Sequence, residues 1–331
     1  MKLALAAFAA TNLALVAVMG VRTGGDTGLY LDGARRLIEG EPLIDREPSY
    51  VGYVALVALC QSIGVGLTGL VIVQVAMATA SAGAVYRLAH ELGGPRAAWI
   101  ATALLTIDVE TNRWHVYVLS DSLYLSVFTG SVWLVARATQ APRNWSRYAV
   151  AAAGLILAGL IRPEGWFVIP AAAMFWVVSG FQSRVTQAGA GLAIVVASTL
   201  LVVVVAPRLT GNLSAVGPGE MLRRGQTIWE YDGWRLTMPA ASSGGSGGDS
   251  ARGAVRYAIE HPIKTVELMA ARVAVHLAHI RPFYSTLHNT AIVIWLAPVY
   301  VLGGAAIWIL RRRPLSQWCV VAFGTQALVV A

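Results

Sequence analysis

Apolar residues in this chain come in long unbroken runs separated by short polar breaks, not in the alternation of a half-buried strand. A helix needs about 20 apolar residues to cross about 30 Å of hydrocarbon. Runs of that kind lie at 3–20, 69–89, 118–138, 187–206 and 288–310, with a shorter one at 97–107. A continuous helix over 148–180 would be roughly 50 Å long, more than one crossing needs. Arg162-Pro163-Glu164-Gly165 breaks it with two charges and two helix breakers, which predicts a hairpin of 148–161 and 165–180. The last run, 315–331, ends at Ala331 within an apolar segment, which reads as a chain that continues further. Residues 51–67 fit either a span or a helix lying in the interface. The expected fold class is an all-α polytopic membrane protein of about nine transmembrane helices, with interfacial helices in its first external loop and a larger external subdomain.

Composition agrees with lipid as the main solvent. Of 331 residues, 56% are hydrophobic and 13% charged, where a soluble domain carries about 25% charged. The formal charge of +8 would suggest nucleic acid in a soluble protein. Here much of the excess sits in short loops between apolar runs, so topology accounts for it. Lys2 and then Leu3 to Met19 resemble a signal peptide, but no small-residue cleavage pattern closes the run, so a retained anchor is expected. Cys60 and Cys319 stand far apart in apolar stretches and offer neither a disulfide framework nor zinc-type spacing.

With 51–67 not crossing, Lys2, Arg87, Arg96, Arg137, Arg143, Arg147, Arg184 and Arg311–Arg313 share one side, which the charge rule makes cytoplasmic. The predicted organisation is a membrane core at 1–206 with external loops 21–68 and 108–117, an external region at 207–287, and C-terminal membrane helices at 288–331. Within the external region, Ser242 to Gly248 is a mobile loop by composition, and Pro262 opens a helical stretch running to Ile280. Neither a G-x-G-x-x-G after a strand nor a P-loop is present. The expected substrate is therefore one already present at the membrane.

Candidate chemistry gathers in the external segments. Asp26 follows the first run in Gly24-Gly25-Asp26-Thr27-Gly28, where backbone can approach a ligand closely. It can cap the helix that follows or, as a carboxylate at the lipid–water boundary, take a proton from a hydroxyl acceptor. Arg162 suits a phosphate through its fork of donors, and Glu164 beside it suits an interfacial pair or a substrate contact. Arg223, Arg224 and Arg281 are further cations for that role. His276 and His279 share a helix face without other metal-ligand types nearby. Trp114, Trp229, Tyr231 and Trp234 suit either sugar stacking or an interfacial aromatic belt.

The arrangement of the first external loop carries more than any one residue. An Asp directly after the first span, Tyr30 soon after, a short helix closing at Gly40, then Pro48-Ser49-Tyr50-Val51-Gly52-Tyr53 before an apolar helix, resembles the GT-C superfamily of polytopic glycosyltransferases. That superfamily includes dolichyl-phosphate-mannose protein mannosyltransferases and bacterial enzymes using polyprenyl phosphates. The resemblance covers residues 1 to about 185 and, more loosely, 207–310. It implies Asp26 as the catalytic Asp of the first external loop, acting as general base, and a non-spanning 51–67. It likens Asp108-x-Glu110 to an acidic pair in the second external loop that helps bind a divalent metal, Mg or Mn, or organises the donor phosphate. Asp121 matches an acidic residue that opens the following helix. Arg281, with Tyr284 and His288 in Ile280 to Asn289, resembles a stretch before a late membrane helix. Tyr30 and Tyr50 join the substrate-binding set.

Two functions follow as expectations. One is a glycosyltransferase in the plasma or inner membrane, moving a sugar from a polyprenyl-phosphate donor to a glycan, lipid or protein acceptor on the non-cytoplasmic side, with no nucleic-acid partner. The other is a transporter or flippase of lipid-linked sugar, which predicts ionisable residues at mid-span. Cysteines introduced at Asp26 and Arg162 are expected to react with an impermeant maleimide from the same side of the membrane; reaction from opposite sides ends the shared-site reading.

Overall fold

The computed structural model describes residues 1–140, 144–180, 189, 218–228, 231, 233–239 and 251–330. The expected span at 187–206 and the loop at Ser242–Gly248 lie outside the described residues, as do Arg143, Arg184 and Trp229. Described elements are helical, with only two isolated bridges besides. Contacts divide the chain into two units, one of Met1–Gly211 with Leu310–Ala322 and one of Asn212–Ile309 with Phe323–Ala331.

In the first unit, α1 (Lys2–Met19) stops at Gly20, and α2 (Thr27–Glu39) closes at left-handed Gly40, φ 75°. A short 3₁₀ turn, Glu47–Tyr50, leads into α3 (Val51–Ser62). At 12 residues α3 is about 18 Å long, too short to cross the hydrocarbon. Gly64 and Gly66, both at positive φ, end that segment before the predicted 67. Next comes α4 (Gly66–Ile107), which is two helices in one: Gly94 has φ 78° and Pro95 follows. That break falls between the expected runs 69–89 and 97–107.

After α5 (Val109–Arg113) comes α6 (Ser120–Thr139). It starts two residues later than predicted because Leu119 is extended and the Val118 N–H donates to Arg22 O at 2.8 Å. Two hydroxyls on its buried face are satisfied within the helix, Ser126 donating to Ser122 O at 2.9 Å and Ser131 to Val127 O at 2.7 Å. The predicted hairpin is present as α7 (Trp145–Ile161), a 3₁₀ turn at Pro163–Phe167, and α8 (Val168–Gly180). Its second arm begins three residues late, since the Pro-Glu-Gly sequence forms the tip instead of the helix. Among the described residues, three helices are long and apolar enough to cross a membrane: Lys2–Met19, Gly66–Ile107 and Thr286–Leu310.

One core of this unit packs Tyr30, Tyr53, Val54, Val57, Leu70, Val118 and Ile161 between α2, α3, the head of α4 and the end of α7. A second holds Phe128, Val132 and Leu155 with Trp318, whose indole N–H donates to Val132 O at 2.8 Å. The hairpin tip lies tight on α7. A Cβ on Gly165 would stand 2.5 Å from the Ala158 carbonyl carbon, and one on Gly159 would stand 2.6 Å from the Trp166 ring.

The second unit contains α9 (Pro218–Arg224), α10 (Ala251–Glu260), α11 (Pro262–Ala278) and nearly all of α12 (Thr286–Leu310). Pro262 opens α11 as expected, since proline at the first turn forfeits an N–H that has no partner there anyway. The helix ends at His279, φ 53°, short of the predicted Ile280. The last helix, α13 (Pro314–Val330), passes from the first unit to the second beyond Ala322.

Gly165→Ala is expected to lower stability by about 1–3 kcal/mol through overpacking against fixed backbone. Gly130→Ala, where nothing lies within 4 Å, is the control expected to be neutral or slightly stabilising. Thermal unfolding in detergent measures both; equal midpoints would remove the close tip contact.

Candidate active site

Asp26 stands at the N-cap position of α2, yet its carboxylate makes no capping hydrogen bond. Thr27 does the local work: its hydroxyl donates to Gly24 O at 2.8 Å and accepts the Gly24 N–H at 3.0 Å. The Asp26 carboxylate faces Arg46 instead, with each oxygen 3.5 Å from one guanidinium nitrogen. Its side chain is 41% exposed. Capping, the commonplace reading of this residue, does not occupy it.

Backbone pairing fixes where Asp26 sits. The Arg22 N–H donates to Val116 O at 2.9 Å, and the Val118 N–H returns to Arg22 O at 2.8 Å. The Thr27 hydroxyl lies 2.9 Å from Val118 O. These contacts bind the loop after α1 to the loop before α6, and so bring Asp26 towards Ser120 and Asp121 at the head of α6. Beneath them Gln74, fully buried, donates to His115 O at 3.0 Å and Tyr117 O at 2.9 Å and accepts from Tyr53 at 2.7 Å.

Tyr30 ties the two halves together, its hydroxyl 2.9 Å from Ser120 Oγ. Its ring meets Tyr50 and Tyr53 edge-on at centroid distances of 5.4 and 4.8 Å. Burial raises the Tyr30 pKa against the opposing Ser120 hydrogen bond, so the phenol stays neutral. Burial likewise raises that of Tyr50, whose hydroxyl accepts from Arg46 at 3.3 Å.

The hairpin tip supplies the other cation. Arg162 ion-pairs with Asp121, and its Nε and a terminal nitrogen reach the two Glu164 oxygens at 3.3 and 3.1 Å. Burial works against the guanidinium charge, but Asp121 and then Glu164 outweigh it and raise the Arg162 pKa well above its ordinary value. Tyr50 lies within electrostatic reach of Arg162 and Glu164. Asp26, Tyr30, Tyr50, Asp121, Arg162 and Glu164, drawn from four stretches of sequence, thus form one connected cluster with Arg46.

Residues 48–208 match the model of the dolichyl-phosphate-mannose-protein mannosyltransferase family. The chain is similar to that family over this stretch. No curated protein and no solved structure matches it. The mannosyltransferase-like stretch takes in Tyr50, Asp121, Arg162 and Glu164, while Asp26, Tyr30 and Arg46 lie before it.

Other expected site residues have contacts of their own. Asp108 caps α5, accepting from the Thr111 N–H at 3.3 Å and its hydroxyl at 2.5 Å. Glu110 pairs with Arg113 at 2.5 Å. With Asp121 engaged by Arg162, these acids do not fit a shared metal site as they stand, and no group of three His, Cys, Asp or Glu suited to a metal occurs among the described residues. In the second unit, Arg281 donates to Val275 O at 3.2 Å and Ile280 O at 3.0 Å, at the carbonyl end of α11. Tyr284 and His288 stack at 4.2 Å there.

Arg46 and Ser120 are the members that sequence reading passed over. Arg46 lies in Asp45-Arg46-Glu47, which looks like an ordinary solvated charge run. Its one signal is the spacing of four to Tyr50, a contact made across the following turn.

His115 beneath the site gives a pH test. Burial lowers its pKa from 6.5 to about 4, and its Nδ1 lies 2.6 Å from Ser122 Oγ. The unfolded chain takes up a proton below pH 6.5 that the folded chain refuses until about pH 4, so stability falls as pH drops through that window. Thermal midpoints between pH 7 and 5 are expected to fall less in His115→Gln than in wild type; parallel curves would rule out His115 as a source.

Proposed function

We propose that this chain is a membrane glycosyltransferase that moves a sugar from a polyprenyl-phosphate carrier to an acceptor hydroxyl on the non-cytoplasmic face. The family match supports a glycosyltransferase using a lipid-phosphate-linked sugar. The observation that carries the rest is the Asp26 carboxylate, released from capping, part-exposed, and clustered with two guanidiniums and the Tyr30–Tyr50 pair.

Such a cluster suits direct displacement at the anomeric carbon. Asp26 takes the proton as the acceptor O–H breaks. The acceptor oxygen forms its bond to the anomeric carbon from the face opposite the phosphate, and the bond from that carbon to the phosphate oxygen breaks. Its electron pair stays on the phosphate, so charge builds on the leaving polyprenyl phosphate, and a guanidinium placed there lowers the barrier. The anomeric centre inverts. Buried, neutral Tyr30 and Tyr50 hold Ser120 and Arg46 in place around the carboxylate. The reaction written this way needs no metal step.

A transporter reading would need titratable groups within the apolar spans. Asp26, Asp121 and Arg162 stand instead at or just beyond helix ends, which favours bond transfer.

Asp26→Asn is expected to reduce sugar transfer from a polyprenyl-phosphate sugar by about 10²- to 10⁴-fold, the usual worth of a general base, while the purified protein remains folded. Turnover equal to wild type would remove Asp26 from the chemistry. Solute movement without cleavage would replace the transferase by a transporter.

A further inference from the structure

We infer that Arg46 is the residue that takes the donor's phosphate, and that it does so by leaving Asp26; the inference rests on the transferase reading and assigns a new role within its site. The two guanidiniums are held very differently. Arg162 is committed to two carboxylates, Asp121 and Glu164, with its side chain 21% exposed. An arginine so engaged has little charge left for a third anion. It braces the hairpin tip against the head of α6.

Arg46 has one carboxylate partner, at 3.5 Å to each oxygen, and its side chain is 35% exposed. Contacts at that distance on a part-exposed pair are worth little. It also meets the Tyr50 hydroxyl at 3.3 Å and the Tyr50 ring at 5.9 Å. The residue before it, Asp45, is a non-glycine at φ 51°, in a short loop between Gly40 and the turn at Glu47.

The charge balance gives the exchange its direction. Asp26, Asp121 and Glu164 outnumber Arg46 and Arg162 by one carboxylate. A phosphate entering this site meets net negative charge unless a cation turns towards it, and Arg46 is the one whose present bonds are weak. When it turns, the Asp26 carboxylate is uncovered and can meet the acceptor hydroxyl. Donor binding and activation of the base are then one event, which spares the base until a donor is in place.

Equilibrium binding of a polyprenyl phosphate lacking a sugar, with the neutral polyprenol as control, tests this in lipid nanodiscs. Asp26→Asn removes the carboxylate that competes for Arg46 and is expected to tighten phosphate binding several-fold, a gain that misfolding cannot produce. Arg46→Ala is expected to weaken it about tenfold, the scale of one charged hydrogen-bonding partner, with Arg46→Lys in between. In the double variant the gain from Asp26→Asn should vanish. Unchanged affinity in Asp26→Asn, or a gain that persists without Arg46, overturns the Arg46 role while wild-type preference for phosphate over alcohol keeps the transferase reading. Equal binding of phosphate and alcohol by wild type overturns both.

Discussion

The site depends on a short stretch of paired backbone. Arg22 exchanges two hydrogen bonds with Val116 and Val118, and Thr27 adds a third contact to Val118. Each group satisfied there would otherwise be left unpaired beside apolar helices, so the pairing is costly to lose. Through it the end of α1 and the start of α6, about a hundred residues apart in sequence, present Asp26 and Asp121 to the same small space. Without that pairing they are two unrelated loop acids.

Around this seam the packing serves position more than bulk. Gln74 spends all its polar capacity holding Tyr53 and the 115–117 backbone, and Gly52 lets α3 close on the Leu160 backbone, where a Cβ would be 3.0 Å from its carbonyl. The tyrosines are buried between α2, α3 and the head of α6, so the groups they hold need no ordering on binding. A rigid aromatic floor thus lies beside one loosely held cation.

Much of this was legible in the chain. Apolar runs marked α1, α4 and α12, and Arg162-Pro163-Glu164-Gly165 marked a turn because two helix breakers leave few other conformations. Asp26, Asp121, Arg162 and Glu164 could be singled out because charge next to a membrane run is costly and so informative. What could not be read was partnership. Whether Asp26 caps α2 depends on what its carboxylate faces, and it faces Arg46, twenty residues on. Asp108 has the same local look as Asp26 and spends its carboxylate on Thr111. Arg46 was overlooked because its meaning lies wholly in what faces it.

One buried pair in the membrane-facing part has a wider bearing. Asn12 of α1, fully buried, donates to Asn112 Oδ1 at 3.1 Å, and Asn112 in turn donates to Leu105 O and Thr106 O at the end of α4. Apolar helices in lipid slide and roll past one another at small cost, since any apolar face suits any other. A single amide pair removes that freedom, because a slip of one residue turns the side chain by about 100° and carries it about 1.5 Å along the axis. The first helix is thereby a depth gauge: it sets the level at which the chain emerges, and with it the height of the acid that follows.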